Sequence, residues 1–276
     1  MPISGELRQS ARECLARARE LIARNQEAAT RYACLELRQA IEYLAYQQLD
    51  AYLDEVPDDA MRKWTPRDVI AQMLTVDPTA DKTASVSVGV EQVYGQPAAG
   101  METLGEDRRF TLKWANRSHN ALGSFLHAPT LHQFETGNVP DHGAMREKAE
   151  EVAAVIDHTL ASPIYNANFG EFYEIDCVCG RRFKRRAGSF TAQQGIVCPN
   201  TNCRTIWDVA SEKGTRIELR PRQTEYVCPS CKGTRYLLNH KIKAGGVIVC
   251  DCGGRAEICL SLSPFEEDAS SPESAP

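Results

Sequence analysis

Eight cysteines between Cys177 and Cys252 fall into four close pairs. One residue separates Cys177 from Cys179, four separate Cys198 from Cys203, two separate Cys228 from Cys231, and one separates Cys250 from Cys252. The spacers inside the two halves are equal, eighteen residues from Gly180 to Val197 and eighteen from Lys232 to Val249. Zinc takes four thiolates at about 2.3 Å in a tetrahedron, so each pair must hold its sulfurs within about 4 Å on one tight turn. Gly180 and Gly253, directly after two of the pairs, can adopt positive φ and leave backbone amides pointing at sulfur. Unligated buried cysteines have no reason to repeat such spacings. Two structural zinc ions are expected. Sequential pairing gives the sites Cys177, Cys179, Cys198, Cys203 and Cys228, Cys231, Cys250, Cys252; an interleaved arrangement, with the outer knuckles sharing a metal, satisfies the same count. Cys14, Cys34 and Cys259 remain and read as small core residues.

An eighteen-residue spacer suits one β-hairpin that brings two knuckles together, which makes residues 172–220 and 221–262 two small β units. With their Cys-x-Cys-Gly and Cys-Pro-x-x-Cys knuckles they resemble the zinc ribbons of many bacterial and transcription-associated proteins. The resemblance implies a small three-stranded sheet around a closed metal site. Four sulfurs leave no open coordination position, so it implies a fold and not a reaction.

Charge divides the chain. The 276 residues carry a formal −5, but Cys177 to Arg255 contains 15 Lys and Arg against 5 Asp and Glu, or +10, which leaves −15 elsewhere. Two tetrathiolate zinc centres at a formal −2 each still leave the cysteine-rich part at about +6. Its densest run is Arg181, Arg182, Phe183, Lys184, Arg185 and Arg186. Cations at this density neutralise phosphates with counterion release, and Phe183 or Tyr236 offers a ring for an unpaired base. Nucleic acid, as RNA or single strands, is the partner this implies. A basic face docked on the acidic helical part is the competing reading.

The elements that precede the cysteines are helical. Leu7, Leu15, Leu21 and Ile22, then Cys34, Leu37, Ile41, Leu44 and Tyr52, recur at helical spacing, with Asn25 interrupting a two-helix hairpin. Thr65-Pro66 reads as a cap and first turn of a short helix ended by Asp77-Pro78. Val86, Val88 and Val90 alternate with small polar residues, so residues 80–107 read as a β insertion. Helices are expected again from Arg108 to His127 and from Gly143 to Leu160. The fold class is therefore α+β in two domains: a helical bundle over 1–162 and the tandem zinc module, followed by an acidic Ser/Pro-rich tail at 263–276 that should be disordered. Ordinary globular composition excludes disorder as the default. No apolar run of about 20 residues is present to span a membrane, and the N-terminus lacks a signal-peptide core. A cytoplasmic location is expected, where eleven cysteines point to metal over disulfides.

Within the bundle, Arg109, Lys113, Asn116, Asn120, Gly123 and His127 lie in one sector of the expected fourth helix, a polar stripe that could equally be a solvated face. Arg38 and Glu42, four apart, read as a helix-surface ion pair. CLELRQAIEYLAYQQL (Cys34 to Leu49), with NALGSFLHAP (Asn120 to Pro129), resembles the HEPN superfamily of helical bundles from prokaryotic defence systems. That resemblance implies a metal-independent ribonuclease acting across a dimer interface through an Arg and a His, here His127. The position expected for the Arg holds Asn120, which carries no charge, so Arg109 or Arg38 must replace it for cleavage to occur. No Gly-rich phosphate loop, Gly-x-Ser-x-Gly elbow or His-Glu-x-x-His pair competes. His119, His132, His142, His158 and His240 are scattered and read as ordinary residues. Two functions stand: a zinc-bearing nucleic-acid binder in defence or RNA turnover, with or without ribonuclease activity, or a non-catalytic adaptor that dimerises through its helices and binds a protein partner through its ribbons.

Overall fold

The structure, a computed structural model, describes residues 3–93, 96, 98–139, 141–189, 195–213, 216–259 and 261. The tail expected at 263–276 lies outside the described residues. The rest is a mixed α+β chain, with helices first and small antiparallel strands after them.

Helices α1 (Ile3–Ala23) and α2 (Glu27–Asp50) form the expected hairpin, and Asn25 makes the turn at φ +52°, a left-handed conformation that Asn tolerates. The α2 side chains at Ala33, Leu37, Ala40, Ile41, Leu44 and Ala45 are all fully buried, because α1, α3 (Pro66–Leu74), α4 (Leu112–Ser124) and α6 (His142–Leu160) pack around it. Thr65 caps α3 by accepting the Asp68 amide, with Pro66 in the first turn. A short helix, α5 (Leu131–Thr136), was not expected from the sequence. It buries nothing and is held by a capping box between Thr130 and Gln133 and by Gly137 at φ +68°.

The β insertion is an antiparallel pair, β1 (Ala84–Val88) and β2 (Glu102–Asp107), bulged between Val86 and Ser87. The fourth helix starts later than its periodicity implies, at Leu112 and not Arg108. Thr111 accepts the Trp114 amide as its cap, and the extended segment before it drives Phe110 into the core. The helix also ends at Ser124, so His127 lies outside it.

The C-terminal region contains β3 (Phe172–Asp176), β4 (Arg182–Arg186), β5 (Ile196–Val197), β6 (Ile206–Lys213), β7 (Arg216–Pro221), β8 (Gln223–Val227), β9 (Thr234–Leu238), β10 (Val247–Val249) and β11 (Arg255–Glu257). Strands β3–β4, β8–β9 and β10–β11 form two-stranded sheets, and β5–β6–β7 form a three-stranded one. The spacers are not the hairpins expected of them. Each cysteine pair sits in the turn of its own hairpin, and the eighteen residues carry one strand of one hairpin into one strand of the next.

Candidate metal centres and their surroundings

The knuckles are tight turns closed by backbone hydrogen bonds, and the Gly254 amide donates to the Cys252 sulfur at 3.4 Å. The Gly180 amide donates to the Cys177 carbonyl at 2.8 Å and the Gly253 amide to the Cys250 carbonyl at 2.8 Å, and these glycines stand at φ +83° and +82°. The thiols of Cys177, Cys179, Cys198 and Cys203 gather into one cluster, and those of Cys228, Cys231, Cys250 and Cys252 into another, with the sulfurs of each cluster within 4.8 Å of one another. This is the sequential pairing. Measured Sγ···Sγ separations are 3.7 Å for Cys177–Cys203, 3.8 Å for Cys179–Cys198, 3.8 Å for Cys228–Cys252 and 4.0 Å for Cys231–Cys250. A tetrahedron with Zn–S bonds of about 2.3 Å has edges of about 3.8 Å, so both donor sets fit zinc. None of the eight is in a disulfide. The two sets are the ligands of two structural zinc ions.

The local field favours thiolate in places even before metal is considered. Amides of Cys231 and Ser230 aim at the Cys228 sulfur and bring its pKa down to about 6. Burial pushes the Cys203 thiol up, but hydrogen bonds from the Thr205 side chain and backbone outweigh it and bring the value down to about 7. Of the three remaining cysteines, Cys14 and Cys34 are core residues with thiols pushed up to about 11 by burial. Cys259, expected as a core residue, is exposed just past the last strand.

The strands around the first cysteine cluster have a small core of their own. Ile175 and Phe183 pair across β3–β4 and pack with Ile196, Trp207 and the cysteines. Phe183 is 1% exposed, so it cannot stack on a base; strand alternation turns it inward beneath the metal. The cations around it are largely engaged within the chain. Arg181 pairs with Asp58 at 3.2 Å and Arg182 with Asp176 at 2.8 Å. The Lys184 amide donates to the Asp54 carbonyl at 2.8 Å, and Arg185 donates to the carbonyls of Glu55 and Val197. Arg186 bonds Asn168 and the Phe169 carbonyl, approaches Asp77 at 3.3 Å and lies over the Phe172 ring. Much of the basic run is thus a seam holding β3 and β4 to the segment after α2. Arg182 is exposed at its edge, and the Lys184 ammonium has no bonded partner among the described residues.

Arg109 belongs to the same kind of framework. Its side chain is 4% exposed and bonds Asp107, the Tyr52 hydroxyl and the carbonyls of Ala80 and Ala167. It lies before α4 and is not part of that helix's polar stripe. His127 is exposed, three residues past the end of α4, and Asn120 is exposed and bonded to Asn116 at 3.2 Å. Arg38 is not paired with Glu42. Glu42 instead bonds His119 Nε2 at 2.8 Å, and Arg38 turns its guanidinium across Gly123, where an added Cβ would collide with it. Sequence reasoning passed over His119 as one of several scattered histidines; its spacing from Asn116 and Gly123 on the α4 face was the available signal.

No protein-family model, curated protein or solved structure matches the chain. The resemblance to the HEPN superfamily therefore rests on the residues quoted for it. No described helix is long and apolar enough to cross a membrane.

Proposed function

We propose that this protein is a zinc-stapled nucleic-acid-binding protein that takes RNA or exposed single strands on its second ribbon. The division into a helical domain and two ribbon domains is part of this reading. One observation supports it above the others: where the first ribbon commits Arg181, Arg185 and Arg186 to the seam, the second leaves Lys232, Lys241, Lys243 and Arg255 without ion-pair partners among the described residues, on the same small unit as Tyr236, which is 60% exposed. Unpaired cations and an exposed ring are the two parts of single-strand recognition. Filter binding of a labelled single-stranded RNA across a salt series tests it. Affinity should fall steeply with salt, and a Lys232→Glu, Lys241→Glu, Lys243→Glu triple variant should lose most of it. Affinity that is flat in salt, or unchanged in the triple variant, overturns the reading.

Cleavage is a separate matter. Arg109 is saturated by structural partners, which leaves Arg38 as the cation to stand with Asn120 and His127, in the same subunit or across a dimer. Incubating labelled RNA with the protein beside His127→Ala tests that role; cleavage that survives the substitution removes it. The adaptor reading is favoured by Val227, Tyr236, Val247 and Val249, all exposed on the second ribbon and suited to a protein partner. Zinc-loaded protein that binds no RNA would move the balance to it.

A further inference from the structure

A cleft of about 310 Å³ opens between α2, the start of α3 and α4, with no residue of the cysteine-rich region in its lining. Its lining carries the features of a phosphate site next to the features of a ring site. Arg38 is half-buried, has no hydrogen bond or ion pair among the described residues, and brings Nη1 of its guanidinium end-on to Gly123. Glu42, the carboxylate one turn along α2 that would ordinarily quench it, is turned to His119 instead. A guanidinium at the wall of an open cleft with no carboxylate paired to it is available to an anionic ligand.

The groups around Arg38 fit a phosphate. Asn116 and Asn120 project from successive turns of α4 with side-chain amides, and Arg67 stands in the first turn of α3. His119 uses Nε2 on Glu42 and has no protein partner at its other ring nitrogen. The one carboxylate in the lining is Asp68. Trp64 lines the same cleft and is 70% exposed. Gly123 completes the arrangement, since any side chain at that position would displace the guanidinium.

We propose that this cleft binds a nucleoside monophosphate unit, with the phosphate on Arg38 and the α4 amides and the base stacked on Trp64. Charge-assisted bidentate bonds from Arg fix the anion, and the indole face accepts any base. The unit can come as a free nucleotide or as one residue of a strand. The site is independent of the second ribbon, so each can fail without the other.

Titration of the full zinc-loaded chain with adenosine 5′-monophosphate, followed by tryptophan fluorescence and by calorimetry, tests the proposal. Trp64 is the most exposed of the three tryptophans, so saturable quenching is expected, and it should vanish in Trp64→Phe while calorimetry still reports binding. Arg38→Ala should weaken binding about tenfold or more. Gly123→Ala should weaken it too while keeping the charge, and Arg38→Lys, which keeps the stem, guards against a variant that fails to fold. Adenosine should bind far more weakly, and inorganic phosphate should compete. A short oligoadenylate, tested beside the mononucleotide in the Lys232→Glu, Lys241→Glu, Lys243→Glu background and read by the Trp64 quenching, names the source by whichever saturates the cleft at lower concentration. Absence of saturable binding, equal binding of adenosine, or wild-type affinity in both folded Arg38 variants overturns the proposal.

Discussion

The helical region and the second ribbon solve the same problem with opposite means. Around α2 the core is continuous, with Leu37, Ile41, Leu44, Val69, Ile70, Met73, Leu122 and Ile156 all fully buried, and apolar burial holds the helices together. In the second ribbon Cys228 and Cys250 are the described buried hydrophobic residues, and Val227, Val247 and Val249 face solvent. A unit of that size has too little core to be stable alone, so its zinc–sulfur bonds must do what side-chain packing does elsewhere. The first ribbon stands between the two. It has a zinc site, a small core under Phe183 and an ionic seam to the helices.

The sharpest way to break this comparison is to remove metal. Chelation at neutral pH should strip amide-exchange protection from β8 to β11 completely, because apparent zinc binding energies of about 10–16 kcal/mol are folding energies in such units. The α-helical circular dichroism of residues 3–160 should persist. Loss of the helices together with the ribbons would mean that the two regions share one core. Next in size, Leu37→Ala should destabilise the helical region by about 2–5 kcal/mol through the cavity it leaves, read by denaturant unfolding, with zinc content unchanged.

The seam supplies a smaller and more particular test. Arg186→Ala leaves Glu55 and Asp77 without their cation and should weaken the docking of the first ribbon by about 1–3 kcal/mol, seen as faster exchange in β3 and β4. The cluster of charge is already unequal: burial pushes Glu55 above the ordinary carboxylate value, while Thr79 and Tyr52 hydrogen bonds and Arg186 hold Asp77 below its own despite burial. Unchanged exchange in Arg186→Ala would show that the contact contributes nothing. The smallest effect is expected from Thr65→Ala, which removes the α3 cap and should cost about 1 kcal/mol, confined to the helical unfolding transition.

What could be read from the sequence followed local chemistry. The zinc ligands were legible because knuckle spacing is set by bond lengths over a few residues, and the same holds for the Asn25 turn and the Thr65 cap. The destination of Arg181 to Arg186 was not. Arg182 finds Asp176 six residues away, but Arg181, Arg185 and Arg186 reach Asp58, Glu55 and Asp77, 109 to 131 residues away in the chain, and no local pattern announces those partners. Phe183 was placed with the cations by adjacency, whereas strand alternation turns it to the core. The start of α4 was misplaced for a related reason: Arg109 fits the helical stripe by periodicity, but a buried salt bridge to Asp107 holds it in extended chain. Arg38 and Glu42 fit an i, i+4 pair until His119, 77 residues beyond Glu42, takes the carboxylate.

Elemental analysis of chelator-free protein measures the central claim directly. Two zinc ions per chain are expected, with one retained in Cys179→Ser and one in Cys252→Ser, since each substitution opens a different cluster. A content well below two in the unsubstituted protein, or the loss of both ions on opening either cluster, would contradict two independent metal-built ribbons.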